Sequence, residues 1–168
     1  TIGGLVHSNA GSIKNSYANM PLSSSNAMGG FVYQNTARGN IKYCYSMSKI
    51  NSTGLINGVF VGVDQEGNVL NGENATIEKC YYLALNNDLV DAKEPATAIS
   101  SLEWSNAQGV AFDGFAIADN EASTWYIDTE KTYLGPQLRL ADKVYYSFRT
   151  DDYSYDKTCE LGSETNPI

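Results

Sequence analysis

The sequence predicts a mostly β chain: a right-handed parallel β-helix, or solenoid, of glycine-rich repeats with a small α/β C-terminal cap. Two observations carry this prediction. The 168 residues include 15 glycines and 12 tyrosines but only 18% charged residues, a composition typical of short strands joined by many turns. A short apolar pattern also recurs along the first half of the chain, and such recurrence indicates a stacked-repeat architecture.

Three copies of the repeat are visible, each with two short apolar strands joined by a polar turn rich in Gly and Asn. The first copy runs from Ile2 to Ala18, the second from Met28 to Ser46 and the looser third from Gly58 to Tyr82. The spacing between copies grows only in the loops, where insertions cost little free energy. Because so small a unit cannot bury its own apolar face, the copies are expected to stack into one continuous core.

Equivalent positions in stacked copies form columns along the stack, and four such columns are predicted here. They are the glycines Gly3, Gly4, Gly29 and Gly30; the isoleucines Ile13, Ile41 and Ile77; the small residues Ser16, Cys44 and Cys80; and the tyrosines Tyr17, Tyr45 and Tyr81. The paired glycines are interpreted as corners that need positive φ or close backbone approach. A phosphate-binding loop is disfavoured, because no Lys-Ser or Lys-Thr and no helix follow them.

The small-residue column is open to two interpretations. A packed column with Cys44 and Cys80 reduced is favoured, because free cysteine behaves as a small buried apolar residue. A disulfide between neighbouring rungs is the alternative, since rungs about 4.8 Å apart fall within disulfide range. Neither a Cys-x-x-Cys pair nor a nearby His supports a zinc site. Cys159 makes the cysteine count odd, which argues against a simple disulfide framework.

The chain divides into three predicted regions: repeats over 1–94, a capping segment over 95–140, and a strand and linker into a further module over 141–168. Within the cap, Ser100 and Glu103 fit a capping box and Gly109 suits a C-terminal stop, which together predict a helix of about two turns. Aromatic residues dominate the remainder of the cap. From Ala141 onward, apolar and polar residues alternate in the pattern of a strand.

The first two copies resemble GLUG-motif repeats, whose pattern is roughly Gly-Gly-Leu-Val-Gly, a loop, then Gly-x-Ile-x-Asn-Cys-Tyr-Ala. Here the copies read Gly-Gly-Leu-Val with Gly-Ser-Ile-Lys-Asn-Ser-Tyr-Ala, and Gly-Gly-Phe-Val with Gly-Asn-Ile-Lys-Tyr-Cys-Tyr-Ser. His7 and Tyr33 stand where the family has Gly, and Tyr43 and Lys79 replace the family Asn that Asn15 keeps. The resemblance implies a bacterial protein, secreted or anchored at the cell surface, of the adhesin-like kind or associated with an IgA-specific peptidase.

Composition and residue pattern argue against several function classes. The formal charge is −8, from 19 acidic and 11 basic residues without a basic cluster, so nucleic-acid binding is not expected. No apolar run approaches the ~20 residues that span a bilayer, so no membrane insertion of this segment is expected. With His7 as the single histidine, neither a His-Glu-x-x-His zinc site nor a supported Ser-His-Asp triad can be assembled.

No catalytic, cofactor-binding or metal-binding residue is therefore assigned. The acidic pairs Asp64 with Glu66, Asp88 with Asp91, and Asp151 with Asp152 are interpreted as ordinary solvated carboxylates. A weak Ca²⁺ site is the alternative, although no Asp-x-Asp-x-Asp-Gly loop supports it. The sequence favours a non-catalytic scaffold or adhesive module, with a host protein or glycan as the candidate partner. Surface tyrosines are the candidate sugar contacts: Tyr33, Tyr43 and those within 145–155. The alternatives are a non-catalytic arm of a secreted metallopeptidase and a carbohydrate-binding or lyase-like β-helix.

Overall fold

The computed structural model describes residues 1–52, 57–84, 94–100, 112–117, 123–127 and 135–139, and the backbone of 145–149 and 155–160. This part of the chain is mostly β-strand and turn and contains no helix, which confirms the mostly β class. The chain forms two compact units, Thr1–Leu138 and Arg139–Ile168.

Short strands follow one another along the first unit. The first set is β1 (Ile2–Gly3), β2 (Val6–Asn9), β3 (Ser12–Lys14), β4 (Tyr17–Ala18) and β5 (Pro21–Ser24). The second set is β6 (Met28–Gly29), β7 (Val32–Asn35), β8 (Asn40–Lys42), β9 (Tyr45–Ser46) and β10 (Lys49–Ser52). The later strands are β11 (Thr76–Glu78), β12 (Tyr81–Ala84), β13 (Thr97–Ser100), β14 (Trp125–Tyr126) and β15 (Gln137–Leu138).

Every strand of the first set pairs in parallel with its counterpart in the second set. The pairs are β1 with β6, β2 with β7, β3 with β8, β4 with β9 and β5 with β10. Two of these ladders continue: β11 adds to β8, and β12 and β13 add in turn to β9. Single parallel bridges join Gly29 to Gly58, Val32 to Val61 and Asn35 to Asn71. The three copies therefore lie on one another in the register that the repeat pattern aligns.

The alternation within each strand explains which side chains are buried. In β8, Ile41 is fully buried while its neighbours Asn40 and Lys42 are partly exposed, as a period of two requires. One core lies within the stacked copies, and its fully buried members include Phe31, Val32, Ile41, Phe60 and Val61. Burial of such side chains stabilises the fold by about 1.5–3 kcal/mol each.

A second, aromatic core joins the ladder to the segments that follow it. It consists of Tyr45, Tyr81, Ile99, Phe112, Phe115 and Trp125. Phe115 and Trp125 stack with ring centroids 4.9 Å apart, a separation at which aromatic pairs attract. The bulky residues that the sequence places in the predicted cap thus contact the tyrosines of the repeats.

Strand β13 lies beyond residue 94, the predicted end of the repeats, and pairs with β12 over four residues from Tyr81–Thr97 to Ala84–Ser100. Ser100, where the helix is predicted to begin, is the last residue of β13, and residues 101–109 of the predicted helix lie outside the described part of the chain. The second unit contains a hairpin of β16 (Tyr145–Arg149) and β17 (Tyr155–Glu160), which are antiparallel with a bulge at Phe148–Arg149. The strand predicted after residue 141 corresponds to β16.

None of the described residues belongs to a helix long and apolar enough to traverse a bilayer.

Candidate functional site: columns of equivalent residues

The first glycine of each pair lies where the chain folds back against its own copy. A Cβ added to Gly3 would lie 1.9 Å from the carbonyl oxygen of Val6, and one added to Gly29 would lie 2.0 Å from that of Val32. Real Cβ atoms do not approach a backbone oxygen so closely. Neither glycine has positive φ, so of the two interpretations of the corner glycines, close backbone approach is the one that the structure requires.

The second glycine of each pair faces the next copy. A Cβ on Gly4 would lie 2.1 Å from the carbonyl oxygen of Gly30, and a Cβ on Gly30 would lie 1.9 Å from that of Val59. Val59 occupies the same position in the third copy and keeps its side chain, which is 8% exposed. The second glycine is therefore needed wherever another copy stacks against it.

The isoleucine column holds the three central strands together. Ile13, Ile41 and Ile77 pair directly in the sheet of β3, β8 and β11. Ile41 is fully buried, and the other two pack partly buried against the same core. The column lies where its equivalence in sequence places it.

The tyrosine column runs along the neighbouring sheet. Tyr17 and Tyr45 stack with centroids 5.0 Å apart and planes 9° apart, and Tyr45 is in register with Tyr81. The Tyr45 hydroxyl donates to the Pro136 carbonyl at 2.5 Å, and that of Tyr81 to the Asp113 carbonyl at 2.8 Å. Burial raises the pKa of both tyrosines above the ordinary value, so each stays a neutral donor. The column therefore anchors the segments around residues 113 and 136.

The small-residue column repeats one hydrogen bond three times. The Ser16 hydroxyl and the Cys44 and Cys80 thiols each donate to the carbonyl two residues earlier. The acceptors are Lys14 at 2.8 Å, Lys42 at 3.2 Å and Glu78 at 3.3 Å. Both cysteines are free and buried. The neighbouring Cys44 thiol and burial together raise the pKa of Cys80, which keeps it a thiol at neutral pH.

The residue before each small residue adopts the left-handed backbone conformation. These corner residues are Asn15 (φ 47°), Tyr43 (φ 55°) and Lys79 (φ 50°). Asn tolerates this region better than most residues, which explains its place in the first copy. Tyr43 packs edge-on to Phe115 with centroids 6.3 Å apart, and Lys79 forms an ion pair with Asp113. The two departures from Asn therefore attach the turn at 112–117 to the ladder.

A further column, of buried asparagines, was not predicted from the sequence. Asn9 Nδ2 donates to Asn35 Oδ1 at 2.8 Å, and Asn35 Nδ2 donates to Asn71 Oδ1 at 2.8 Å. Asn35 is fully buried, and all its amide hydrogen bonds run to protein atoms, including the Gly39 carbonyl at 3.4 Å. A signal was present in the sequence, because both Val6 and Val32 are followed three residues later by Asn.

The role of Glu94, like that of the asparagine column, was not predicted from the repeat pattern. Its two carboxylate oxygens accept the backbone N–H groups of Phe60 and Val61 at 3.1 and 3.2 Å. In the second copy, the equivalent N–H of Phe31 donates instead to a carbonyl, that of Phe60, at 2.9 Å. The Glu94 side chain thus substitutes for a backbone acceptor of a further rung.

Of the residues that could carry chemistry, His7 and Asp64 lie in the described part of the chain, and each has local partners. His7 is exposed; its Nε2 lies 2.8 Å from Thr1 Oγ1, and its ring lies 5.0 Å from that of Tyr33. The Asp64 carboxylate accepts the side-chain amide of Asn68 at 3.0 Å and the backbone N–H groups of Asn68 and Glu66 at 2.7 and 3.0 Å. These hydrogen bonds, above all the one from the Asn68 side chain, lower the pKa of Asp64. Asp64 therefore organises its own turn.

The described residues also bear on whether the chain can bind a metal ion. Within the described residues, no group of three or more His, Cys, Asp and Glu is placed to hold a metal ion. The pairs Asp88 with Asp91 and Asp151 with Asp152 lie outside the described residues, as do the side chains of the tyrosines within 145–155.

Of the candidate sugar contacts, Tyr33 packs between neighbouring copies. The ring of His7 lies beside it on one side, and a Cβ on Gly62 would lie 2.6 Å from its Cδ2 atom on the other. Tyr43 is partly buried against Phe115. Both tyrosines are therefore partly buried and have ring contacts within the chain.

Comparison with known proteins adds no relative. The chain matches no protein-family model, no curated protein and no solved structure.

Proposed function

We propose that the chain is a non-catalytic scaffold or adhesive module of a large secreted or surface-anchored bacterial protein, built as a right-handed parallel β-solenoid of GLUG-type repeats. The observation that carries the proposal is the register. Equivalent residues of successive copies pair directly: Ile13 with Ile41 and Ile77, and Tyr17 with Tyr45 and Tyr81. Such nearest-neighbour stacking is the defining property of solenoid proteins.

The columns also support a mechanical role. Parallel backbone ladders, the stacked rings of Tyr17 and Tyr45, and the buried asparagine column join each copy to the next. Loads applied along the chain are then shared among many hydrogen bonds. A stiff stack of this kind holds flanking segments apart and offers long side faces on which a host protein or glycan can bind.

The outer faces of the stack fit a recognition role better than a catalytic one. On the β3–β8–β11 face, polar residues flank each isoleucine, and Lys42 pairs with Glu78 at 2.6 Å. The flanking side chains of β3 and β11 are exposed, and an exposed polar surface of this kind offers contacts for recognition.

Two deletions test the solenoid architecture. Removing residues 14–41 takes out 28 residues, which is the spacing between the paired Ile13 and Ile41, and so removes one whole copy in phase. Removing 28–41 takes out only half of that segment. We expect the larger deletion to keep a β-type circular dichroism spectrum and a cooperative, lower-temperature unfolding transition. The smaller deletion should abolish cooperativity, and the reverse order would overturn the architecture.

A binding and turnover assay tests the function. The purified chain is incubated with immunoglobulin and with pectin and similar acidic glycans, with and without Ca²⁺ and Zn²⁺. Saturable binding without product supports an adhesive module, and neither binding nor product leaves the scaffold role. Turnover that disappears in His7→Ala, Asp151→Asn or Asp152→Asn variants would overturn the non-catalytic proposal.

A further inference from the structure

Two cysteines occupy adjacent rungs of the ladder in direct register. Lys42 pairs with Glu78 and Tyr45 with Tyr81, which places Cys44 opposite Cys80. The Tyr81 N–H donates to the Cys44 carbonyl at 3.0 Å, so the two strands are hydrogen-bonded at this point. Neighbouring strands lie about 4.8 Å apart, and disulfides accept Cα separations of roughly 4.4–6.8 Å.

Their side chains also share one orientation. Both thiols turn back to the carbonyl two residues earlier, at 3.2 Å for Cys44 and 3.3 Å for Cys80. The two thiols lie close enough for each to shift the pKa of the other. The flanking members of the column are Ser16 in the first copy and Ala96 before β13, so the cysteines are its only sulfur pair among the described residues.

We infer that Cys44 and Cys80 form a redox-dependent staple, a disulfide that joins the second copy to the third under oxidising conditions. The oxidant is a small-molecule disulfide of the glutathione type. One cysteine thiolate attacks it, forming a mixed disulfide and releasing one small thiol. The second cysteine then loses its proton and attacks the mixed disulfide, releasing the second small thiol. Two protein thiols and one small disulfide thus become one protein disulfide and two small thiols.

The third copy is where such a bond has most effect. The third copy joins the second through two strand pairs, β11 with β8 and β12 with β9, and through single bridges at Gly58, Val61 and Asn71, whereas the first two copies share five strand pairs. The bond closes a ring from residue 44 to residue 80, a separation of 36 residues. Closing a ring of that size restricts the unfolded chain, and a rise in Tm of about 5–15 °C is expected.

Burial sets the condition under which the bond forms. Cys44 is fully buried and Cys80 is 2% exposed, so a small disulfide reaches them only when the strands open. Oxidation should therefore be fast while the chain folds and slow once it has folded.

The experiment uses the full chain with Cys159→Ser, so that only the pair can crosslink. Protein refolded in oxidised and reduced glutathione is alkylated, digested with trypsin without reductant and analysed by mass spectrometry. Cleavage after Lys42, Lys49, Lys79 and Lys93 releases each cysteine on its own peptide, 43–49 and 80–93. We expect these two peptides to be disulfide-linked, and the oxidised protein to melt at the higher temperature.

A matched variant with Cys159→Ser and Cys80→Ala should show no redox dependence of Tm. Ala is the suitable replacement, because Ala96 already occupies the next position of the same column. If that variant fails to fold, a second control with Cys44→Ser and Cys159→Ser replaces it, and its Tm should also be independent of the redox conditions. If Cys44 and Cys80 are both found alkylated in protein that has refolded in glutathione, the staple is overturned. A disulfide-linked protein whose Tm is equal to or lower than that of the reduced form would also overturn it.

Discussion

The first and third copies share one sequence pattern but leave their strands in different surroundings. Leu5 in the first copy is 42% exposed, whereas Phe31, in register with it, and Phe60 beyond are fully buried. The backbone N–H groups of Phe60 and Val61 donate to the carboxylate of Glu94, a residue beyond the end of the third copy. The repeat therefore forms the paired strands, while residues between and after the copies determine how the ladder ends.

The largest loss of stability should come from substitution of Gly30, the second glycine of the pair in the second copy. We expect Gly30→Ala to cost about 4 kcal/mol or more, or to prevent folding, because its Cβ would lie 1.9 Å from the Val59 carbonyl oxygen. Gly11→Ala is the matched control, since a Cβ there meets nothing within 4 Å. Urea unfolding followed by circular dichroism measures both. Equal losses in the two variants would contradict the role of close copy-to-copy approach.

The asparagine column allows an interior rung to be compared with an end rung. Asn35→Ala leaves both Asn9 Nδ2 and Asn71 Oδ1 without a partner, and we expect a loss of about 3 kcal/mol. Asn9→Ala leaves fewer buried groups unpaired and should cost about half as much. Exposed Asn26→Ala should cost little. Chemical denaturation measures all three, and an Asn9 loss as large as the Asn35 loss would show that position in the column is irrelevant.

The sequence alone predicts the isoleucine column but not the asparagine column. Apolar periodicity placed Ile13, Ile41 and Ile77 in one column, because burial of a strand face imposes a regular pattern. Asparagines usually mark turns, so Asn9 and Asn35 looked like loop residues; only parallel register makes them mutual partners.

The residues at the end of the ladder could not be predicted from the sequence, because their partners lie far away along the chain. Glu94 reaches Phe60 across 34 residues, and Lys79 reaches Asp113 across 34 residues. Nothing in local propensity or spacing ties such distant positions. The departures at Tyr43 and Lys79 did mark unusual corners in the sequence, but their contacts with Phe115 and Asp113 depend on the tertiary fold.

Glu94 tests how the ladder closes. We expect Glu94→Ala to cost about 2 kcal/mol, because the N–H groups of Phe60 and Val61 lose their acceptors. Glu94→Gln keeps one acceptor oxygen and should cost less, and exposed Glu73→Ala should be neutral. Hydrogen exchange read at the Phe60 and Val61 amides gives the decisive measurement. Unchanged protection at both amides in Glu94→Ala would show that another group closes this edge.

The smallest effect should come from a corner residue. Lys79→Asn places a residue better suited to φ 50° at this position, and we expect Tm to rise by about 1–3 °C at low pH. At neutral pH the gain should be smaller, because the variant also loses the ion pair with Asp113.

The pH dependence has a definite sign. Lys79 lowers the pKa of the Asp113 carboxyl in the folded protein, so the pair stabilises the fold above the unfolded-state pKa of Asp and is lost as the pH falls through the folded-state value. The original protein therefore loses this contribution between neutral and acidic pH, whereas Lys79→Asn has none to lose. The Tm difference between them, measured at pH 7 and pH 3, should shift in favour of the variant at pH 3. Lys14→Asn, which removes an exposed lysine that has no positive φ, is the control. A difference that moves the other way would mean that the corner contributes nothing and that the Lys79 side chain stabilises the fold by a contact independent of Asp113.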